Sequence, residues 1–373
     1  MNTKQSKSFN NNHMILKSLE LQNFRNYEKL QMEFDSGTNI IYGDNAQGKT
    51  NILESIYLGG TTKSHKGSKD REMIRFGYEE SHIRITVEKG GLDHQIDMHL
   101  KKNRSKGIAI NQLPIQKASQ LFGMLNLVCF SPEDLNIIKN GPSERRRFLD
   151  VELCQLDKVY LHYLTKYNRI LNQRNKLLKD ISFHPSLMDT LEIWDLQLEE
   201  CGKQIIDARE LFINKLNDMI RSIHGRLSGG RETLILSYEP DTLAEELGNK
   251  LKKCRERDLK LGQTGAGPHR DDLMFSIHDT DIRRFGSQGQ QRTAALSLKL
   301  AELALVKESI SETPILLLDD VLSELDSKRQ NFLLNSIHDI QTIITCTGLD
   351  EFVKNRFHIN KVFQVIEGHV RRI

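Results

Sequence analysis

The chain lacks any apolar run long enough to cross a bilayer: about 18–20 residues are needed, and the longest strong run is Pro314–Leu318. Residues 1–13 are polar, carry Lys4 and Lys7, and lack the apolar core of a secretory signal, so they read as a tail. The five cysteines, Cys129, Cys154, Cys201, Cys254 and Cys346, form no C-x-x-C pair. That argues against a zinc module or a disulfide framework and fits a reducing cytosol. Bulk charge of one sign is missing too: 53 basic and 50 acidic side chains leave a formal net charge of only +3. Nucleic-acid affinity would therefore have to reside in local clusters. There is no internal repeat and no low-complexity block. With 38% hydrophobic and 28% charged residues in 373, the balance is that of an ordinary soluble protein, able to bury a substantial core and to divide into two lobes.

What is present is organised around Gly43-Asp44-Asn45-Ala46-Gln47-Gly48-Lys49-Thr50, between the apolar Ile40-Ile41-Tyr42 and the helical Asn51–Leu58. This is G-x-x-x-x-G-K-[ST] in the strand–loop–helix setting of a phosphate-binding P-loop. The glycines let successive backbone N–H groups turn toward phosphate, and the helix N-terminus behind them favours negative charge. Lys49 would reach the β and γ phosphates of ATP, and the Thr50 hydroxyl would ligate Mg²⁺.

Around the P-loop the first third is strand-rich, with runs at Ile15–Leu21, Leu30–Phe34 and Asn39–Tyr42. His82–Glu88 and Gln95–Leu100 flank Gly90-Gly91 and predict a β-hairpin. Leu125–Phe130 reads as a buried strand. The texture changes near Gly141-Pro142. Apolar residues from Leu156 through Val159, Tyr160, Tyr163, Tyr167 and Ile170 to Leu178 recur at helical spacing and predict one long helix. His184-Pro185 breaks it, and a second helix over about Leu187–Leu227 carries Ile205, Phe212, Leu216, Ile220 and Ile223 on one face. The pair predicts an antiparallel helical hairpin. Strand and helix texture resumes with Leu273–His278, Gln288–Ser309, Ile315–Leu318, Gln341–Thr345 and Val362–Val365. The expected organisation is a tail at 1–13, a nucleotide-binding lobe at 14–140 and 262–373, and an inserted helical lobe at 141–261.

Ile315-Leu316-Leu317-Leu318-Asp319-Asp320 is the second anchor: an apolar strand of the kind buried in parallel sheets delivers carboxylates at its C-terminal edge. Asp319 would hold Mg²⁺ through water, and Asp320 would act as general base on the attacking water. The P-loop and this strand lie about 270 residues apart, further than in compact P-loop enzymes. Just upstream of it stands Phe285-Gly286-Ser287-Gln288-Gly289-Gln290-Gln291-Arg292. Read alone, Ser287 is a helix N-cap. In this order, the segment resembles the Ser-Gly-Gly-Gln signature of ABC-type ATPases, with Gln288 in place of the first glycine. Ser323-Glu324-Leu325-Asp326 matches the D-loop of that class, and Thr345 stands where many members carry a switch histidine.

Further segments narrow the likeness. Leu21-Gln22-Asn23-Phe24-Arg25-Asn26-Tyr27, Phe130–Leu135, Gly141–Asp150, Trp194-Asp195, Gly267-Pro268-His269-Arg270-Asp271-Asp272 and Ser287–Arg292 together resemble the RecF family of bacterial DNA replication and repair proteins. The likeness runs from about residue 14 to the C-terminus, and Ser64-His65-Lys66 resembles a family segment that usually ends in arginine. It implies an α/β fold, a P-loop ABC-type ATPase head similar to those of SMC proteins, with an inserted α-helical lobe in place of a long coiled coil. It also implies ATP and Mg²⁺ as cofactors, slow hydrolysis used as a switch, and an ATP-dependent homodimer. In that dimer Ser287, Gln288, Gly289 and Gln290 of one subunit cap the γ-phosphate held by the other's P-loop. The implied partners are single-stranded and gapped duplex DNA, RecR, and RecO with RecA loading in the SOS response, all in the cytoplasm and away from membranes. As DNA contacts we expect Arg145, Arg146 and Arg147, and Lys101, Lys102 and Arg104, although any such cluster read by itself is more often a solvated face. Two rival functions use the same motifs. The ATPase subunit of a membrane transporter is disfavoured by the motif separation and the altered signature. The head of an SMC-like nuclease or chromosome-organising complex is disfavoured by an insertion of only about 120 residues.

Overall fold

Alternating apolar residues in the first third fold into an antiparallel six-stranded sheet ordered Tyr27–Glu33, Ile15–Phe24, Glu80–Lys89, Leu92–Lys101, Gly107–Ile110, Leu113–Pro114. Ile83, Ile85, Val87, Ile96, Met98 and Leu100 all point inward and are fully buried. The expected hairpin is present: Lys89 pairs with Leu92 across Gly90 and Gly91, whose φ angles of 57° and 75° suit the tight two-residue turn that twists with the strands. The computed structural model describes residues 14–310, 312–337, 339–348 and 359–373, so the tail expected at 1–13 lies outside the described residues. Two compact units result, one of residues 1–132 with 306–373, the other of residues 133–305.

The first unit also holds the nucleotide-type sheet, ordered His369–Arg372, Ile359–Ile366, Thr38–Tyr42, Thr342–Cys346, Ile315–Asp319, Leu127–Phe130. Five strands run parallel and only His369–Arg372 is antiparallel. Thr342–Cys346 and Ile315–Asp319 are buried at every residue, as strands covered on both faces must be. Gln341 ties the two sheets together: the Leu16 N–H donates to its Oε1 at 2.7 Å, and its Nε2 donates to the carbonyls of Leu16 at 2.8 Å and Asp35 at 2.7 Å. Because Thr342–Cys346 lies between the P-loop strand and the aspartate strand, Thr345 stands opposite both Ile41 and Asp319. The C-terminal ends of all three strands therefore open on one edge.

The second unit is mostly helical. The long helix expected over Leu156–Leu178 forms as Lys158–Ile181, and a separate helix that was not expected, Pro142–Leu156, precedes it with Asp157 between them. Asp157 takes an extended backbone and its carboxylate accepts from the Val159 N–H at 2.7 Å, which starts a new helix and leaves Val159 on the surface. A 3₁₀ turn, Pro185–Thr190, leads into the 38-residue helix Leu191–Ser228, which packs on Lys158–Ile181 as the expected hairpin. Gly229 ends it in the left-handed region at φ 72°. The unit extends past the boundaries read from sequence. Asp272–Ile277, expected to return to the nucleotide lobe, instead pairs with Leu234–Glu239, and this carries most of the signature helix Gln288–Ser309 with it. Among the described residues no helix is long and apolar enough to cross a membrane.

Three buried arginines hold this unit together, and they explain several family-like segments. Arg209 donates to Asp271 (2.8 Å), Asp150 (2.8 Å) and the Pro268 carbonyl (2.7 Å). Arg174 donates to Asp195 (2.6 Å), Asp258 (2.8 Å) and Thr264 (2.9 Å). Arg145 grips Asp272 with two nitrogens, at 2.5 and 3.0 Å. Asp150, Asp195, Asp271 and Asp272 thus serve as acceptors for interior cations rather than as reactive carboxylates.

A further buried cluster predicts a pH effect. Glu152, Lys299 and Glu302 are all at least 94% buried, and Lys299 Nζ lies 2.5 Å from Glu302. Burial pushes the Glu152 carboxyl up to about 7 despite the Lys299 charge. A folded carboxyl that holds its proton more tightly than the unfolded one stabilises at low pH and loses that advantage as pH rises from the unfolded value of 4.5 to about 7. Glu152→Gln, which imitates the protonated group, should raise the melting temperature at pH 8 by a few degrees and leave it unchanged at pH 4.5. Equal shifts at both pH values would refute the assignment.

Candidate nucleotide site and signature helix

Gly43–Thr50 connects the strand Thr38–Tyr42 to the helix Lys49–Thr61. Gly48 sits at φ 109°, and a Cβ there would fall 2.4 Å from Asn26 Nδ2 and 2.8 Å from Tyr27 Oη, so only glycine fits. Asn26 braces the loop: its Nδ2 donates to the Gln47 carbonyl at 3.0 Å, and its Oδ1 accepts from Asn51 Nδ2 at 2.8 Å. Gln47 Oε1 accepts from the Glu367 N–H. Lys49 Nζ lies inside the loop and donates to the carbonyls of Gly43 at 2.6 Å and Asp44 at 2.7 Å, while Asp44, Asn45 and Ala46 are exposed.

Thr50 and Asp319 meet across 269 residues of sequence, the Thr50 hydroxyl donating to Asp319 Oδ1 at 2.8 Å. Thr345 Oγ1 donates to the same oxygen at 2.8 Å, and His65 Nε2 stands 3.8 Å from Oδ2 with its ring edge-on to Tyr57. Burial pushes the Asp319 carboxyl up, but the nearby His65 imidazole and the hydrogen bonds from Thr50 and Thr345 outweigh it and hold the group below the ordinary carboxylate value. Asp319 is therefore a charged oxygen ligand next to a hydroxyl, a donor set that fits Mg²⁺. Asp320 takes a left-handed backbone at φ 52°, stabilised by its N–H donating to Thr345 Oγ1 at 3.0 Å. Such strain in a non-glycine residue is kept where the surroundings enforce it. Burial raises the Asp320 carboxyl, opposed by Ser323 and the Lys49 charge.

Beneath the P-loop helix, Glu54 is fully buried and receives Arg25 through Nε at 2.8 Å and Nη2 at 2.7 Å, with Ser64 donating to it as well. A groove of about 540 Å³ opens beside the first turn of that helix, lined by Arg25, Asn26, Asn51, Arg71, Glu72 and the fully exposed Phe76.

The signature segment lies in the other unit, where Ser287 caps its helix. The Gln290 N–H donates to Ser287 Oγ at 3.2 Å, and Gln290 Oε1 accepts from the Ser287 N–H at 2.9 Å, a reciprocal capping box. The N-cap reading and the signature reading thus describe one geometry. Ser287, Gln288 and Gly289 are exposed at the helix tip.

The basic clusters divide. Arg145 is 1% exposed and committed to Asp272, which removes it from the surface contacts expected from sequence: its charge is spent on an interior carboxylate. Arg146 is half-buried and donates to the Asp271 carbonyl at 2.7 Å, while Arg147 faces Glu144 at 3.8 Å. Lys101 and Lys102 face Glu80 at 3.6 Å and Glu79 at 2.9 Å, and Arg104 is exposed. Sequence reasoning missed the role of Asn26 in bracing the P-loop, of Tyr27 in leaving room only for glycine at Gly48, of His65 and Thr345 at Asp319, and of Glu54 under Arg25. The signal for the first was present, since Asn26-Tyr27 belongs to the segment already singled out.

A family model described as the RecF/RecN/SMC N terminal domain matches residues 15–370. The chain is 66% identical over 360 residues to the DNA replication and repair protein RecF of Agathobacter rectalis, covering 96% of this chain and 99% of that protein. To the protein of the same name from Lachnospira eligens it is 63% identical over 359 residues, covering 96% and 99%. Among solved structures it superposes on the recombination mediator protein RecF-ATP in the RecFOR pathway with a TM-score of 0.92 and 37% identity, covering 99% of this chain and 100% of that one. An Smc head domain derived from Pyrococcus furiosus aligns at TM-score 0.56 and 16% identity, covering 96% of both chains, a likeness of fold alone.

Proposed function

The chain belongs to the RecF family within the RecF/RecN/SMC group, and on that premise we propose that it is an ATP-switched DNA-binding protein of DNA replication and recombinational repair. One observation carries the nucleotide half: Thr50 and Asp319, 269 residues apart, share a hydrogen bond at the strand edge where the P-loop opens. In this reading Lys49 exchanges the carbonyls of Gly43 and Asp44 for the β and γ phosphates of ATP. Thr50 and Asp319 would hold Mg²⁺, whose charge offsets that of the phosphates. The raised Asp320 carboxyl accepts a proton from the attacking water. Ribose and base extend into the groove beside Asn51, where Phe76 offers a stacking face. Ser287 of a second copy, exposed at its helix tip, completes the γ-phosphate site, so association follows the nucleotide and hydrolysis releases the dimer.

Association doubles each basic cluster, which is how a monomer of net charge +3 would hold the phosphate backbone. Lys101, Lys102, Arg104, Arg146 and Arg147 are the surface cations of this reading. The preferred DNA would be single-stranded or gapped duplex, and the downstream role would be loading of RecA with RecO and RecR in the SOS response.

The deciding experiment is equilibrium binding to a gapped duplex with ATP, ADP or no nucleotide, with the mass of each species recorded. ATP alone should produce a DNA-bound dimer, and its affinity should fall at least tenfold between about 50 and 200 mM salt. An ATP-driven dimer without affinity for DNA would move the function to another partner.

A further inference from the structure

Gln290 does more than close the capping box. While its Oε1 accepts from the Ser287 N–H, its Nε2 donates to Glu232 Oε1 at 2.9 Å. Glu232 lies just beyond the end of the long arm helix Leu191–Ser228, and its other oxygen stands 3.4 Å from Nε2 of His224 in that helix's last turn. His224 is fully buried, and its Nδ1 meets Ser297 Oγ at 2.9 Å, two to three turns along the signature helix. The Ser297 hydroxyl has one proton and two acceptors in reach, His224 Nδ1 and the Thr293 carbonyl at 2.7 Å. If it donates to His224, the imidazole is neutral with its proton on Nε2. If it donates to Thr293, Nδ1 donates to Ser297 instead. In the first arrangement Nε2–H faces Glu232, so the carboxylate has a donor on each oxygen.

We propose that Glu232 and His224 are positioning residues for the signature serine. They lock Gln290, and through it the N–H and hydroxyl of Ser287, to the end of the arm helix, so the serine is presented in one orientation only while this clasp is closed. Ser287 alone would be an exposed cap with a mobile partner: an exposed glutamine side chain samples many rotamers, and the second hydrogen bond removes them. The inference rests on the signature reading for its functional consequence but not for its structural one.

The test uses the full chain. Amide hydrogen exchange at Ser287 and Gln290 is followed without nucleotide in wild type, Glu232→Ala, Glu232→Gln and Gln290→Ala, and ATP affinity and ATP-driven dimerisation are measured in parallel. Glu232→Ala should speed exchange at both amides about tenfold and weaken dimerisation about tenfold. ATP affinity of the monomer should stay within about twofold, because the P-loop is untouched. Glu232→Gln keeps one acceptor oxygen for two donors and should fall between, which secures the test if the alanine variant folds poorly. Adding Glu232→Ala to Gln290→Ala should cost nothing more, since Glu232 acts on Ser287 only through Gln290. Unchanged exchange at the two amides in both Glu232 variants, or additive effects in the double variant, would overturn the proposal. Because exchange is read without nucleotide, that failure is separate from a wild type that does not dimerise with ATP, which would sink the shared-site reading alone.

Discussion

A one-to-one mixture of Lys49→Met and Ser287→Arg proteins is expected to regain about a quarter of wild-type ATP turnover, although each variant alone should lose roughly 10²–10³-fold. Lys49 is the ammonium inside the P-loop, held by the Gly43 and Asp44 carbonyls, and methionine keeps its length while removing the charge. Ser287 sits exposed at the signature tip, where arginine introduces a long cation in place of the proposed γ-phosphate cap. In either homodimer both shared sites carry the lesion. In a mixed dimer the two lesions fall together in one site, and the other combines an intact P-loop with an intact signature. Random pairing makes about half the dimers mixed, each with one working site of two, hence about a quarter. A mixture as inactive as its components would mean that the sites are not shared between copies. Recovery approaching one half would mean that the mixed pair forms in preference to either like pair.

Arg209→Ala should produce the largest loss of stability of any single substitution in the helical unit, about 3–5 kcal/mol, read as a fall in melting temperature of order 10 °C. Arg209 is 2% exposed and bonds Asp271, Asp150, Tyr160 and the Pro268 carbonyl. Its removal leaves Asp271, which is fully buried, with only the Tyr238 hydroxyl and the Asp241 N–H. Lysine should not rescue, because one ammonium cannot reproduce a planar fork aimed at several acceptors. The effect has a pH signature. Burial already raises the Asp271 carboxyl, with Arg209 opposing, so losing the arginine raises it further. A folded carboxyl with a raised value gives up stability as pH climbs above the unfolded 3.8, so the deficit of the variant should be larger at pH 8 than at pH 5. Thermal melts at the two pH values check both claims, and a fall of less than about 2 °C at pH 8 would show that the network adds little.

Much of the site was readable from the chain because its signals are local. The P-loop declares itself through glycine spacing within eight residues, Asp319 through an apolar run that must be a buried strand, and the hairpin through Gly90-Gly91 between alternating runs. What was misread depends on distant partners. Arg145-Arg146-Arg147 looks like one basic cluster in sequence, yet on a helix its members point in different directions, and Arg145 finds Asp272 at a separation of 127 residues. The helix expected from Leu156 starts two residues later, at Lys158, because the Asp157 carboxylate caps it through the Val159 N–H.

The sequence by itself determined which segments become strands, helices and phosphate-binding loop, and which carboxylates end an interior strand, since these follow from periodicity, glycine and capping chemistry within a few residues. Only the tertiary structure decided that Thr345 and His65 flank Asp319, that Asn26 and Tyr27 shape the P-loop, that strand Asp272–Ile277 joins the helical unit, and that Glu232 reaches Gln290. Each of those is a choice of partner among many chemically equivalent ones. It is settled by which apolar faces are buried together, and the polar groups left nearest one another then pair.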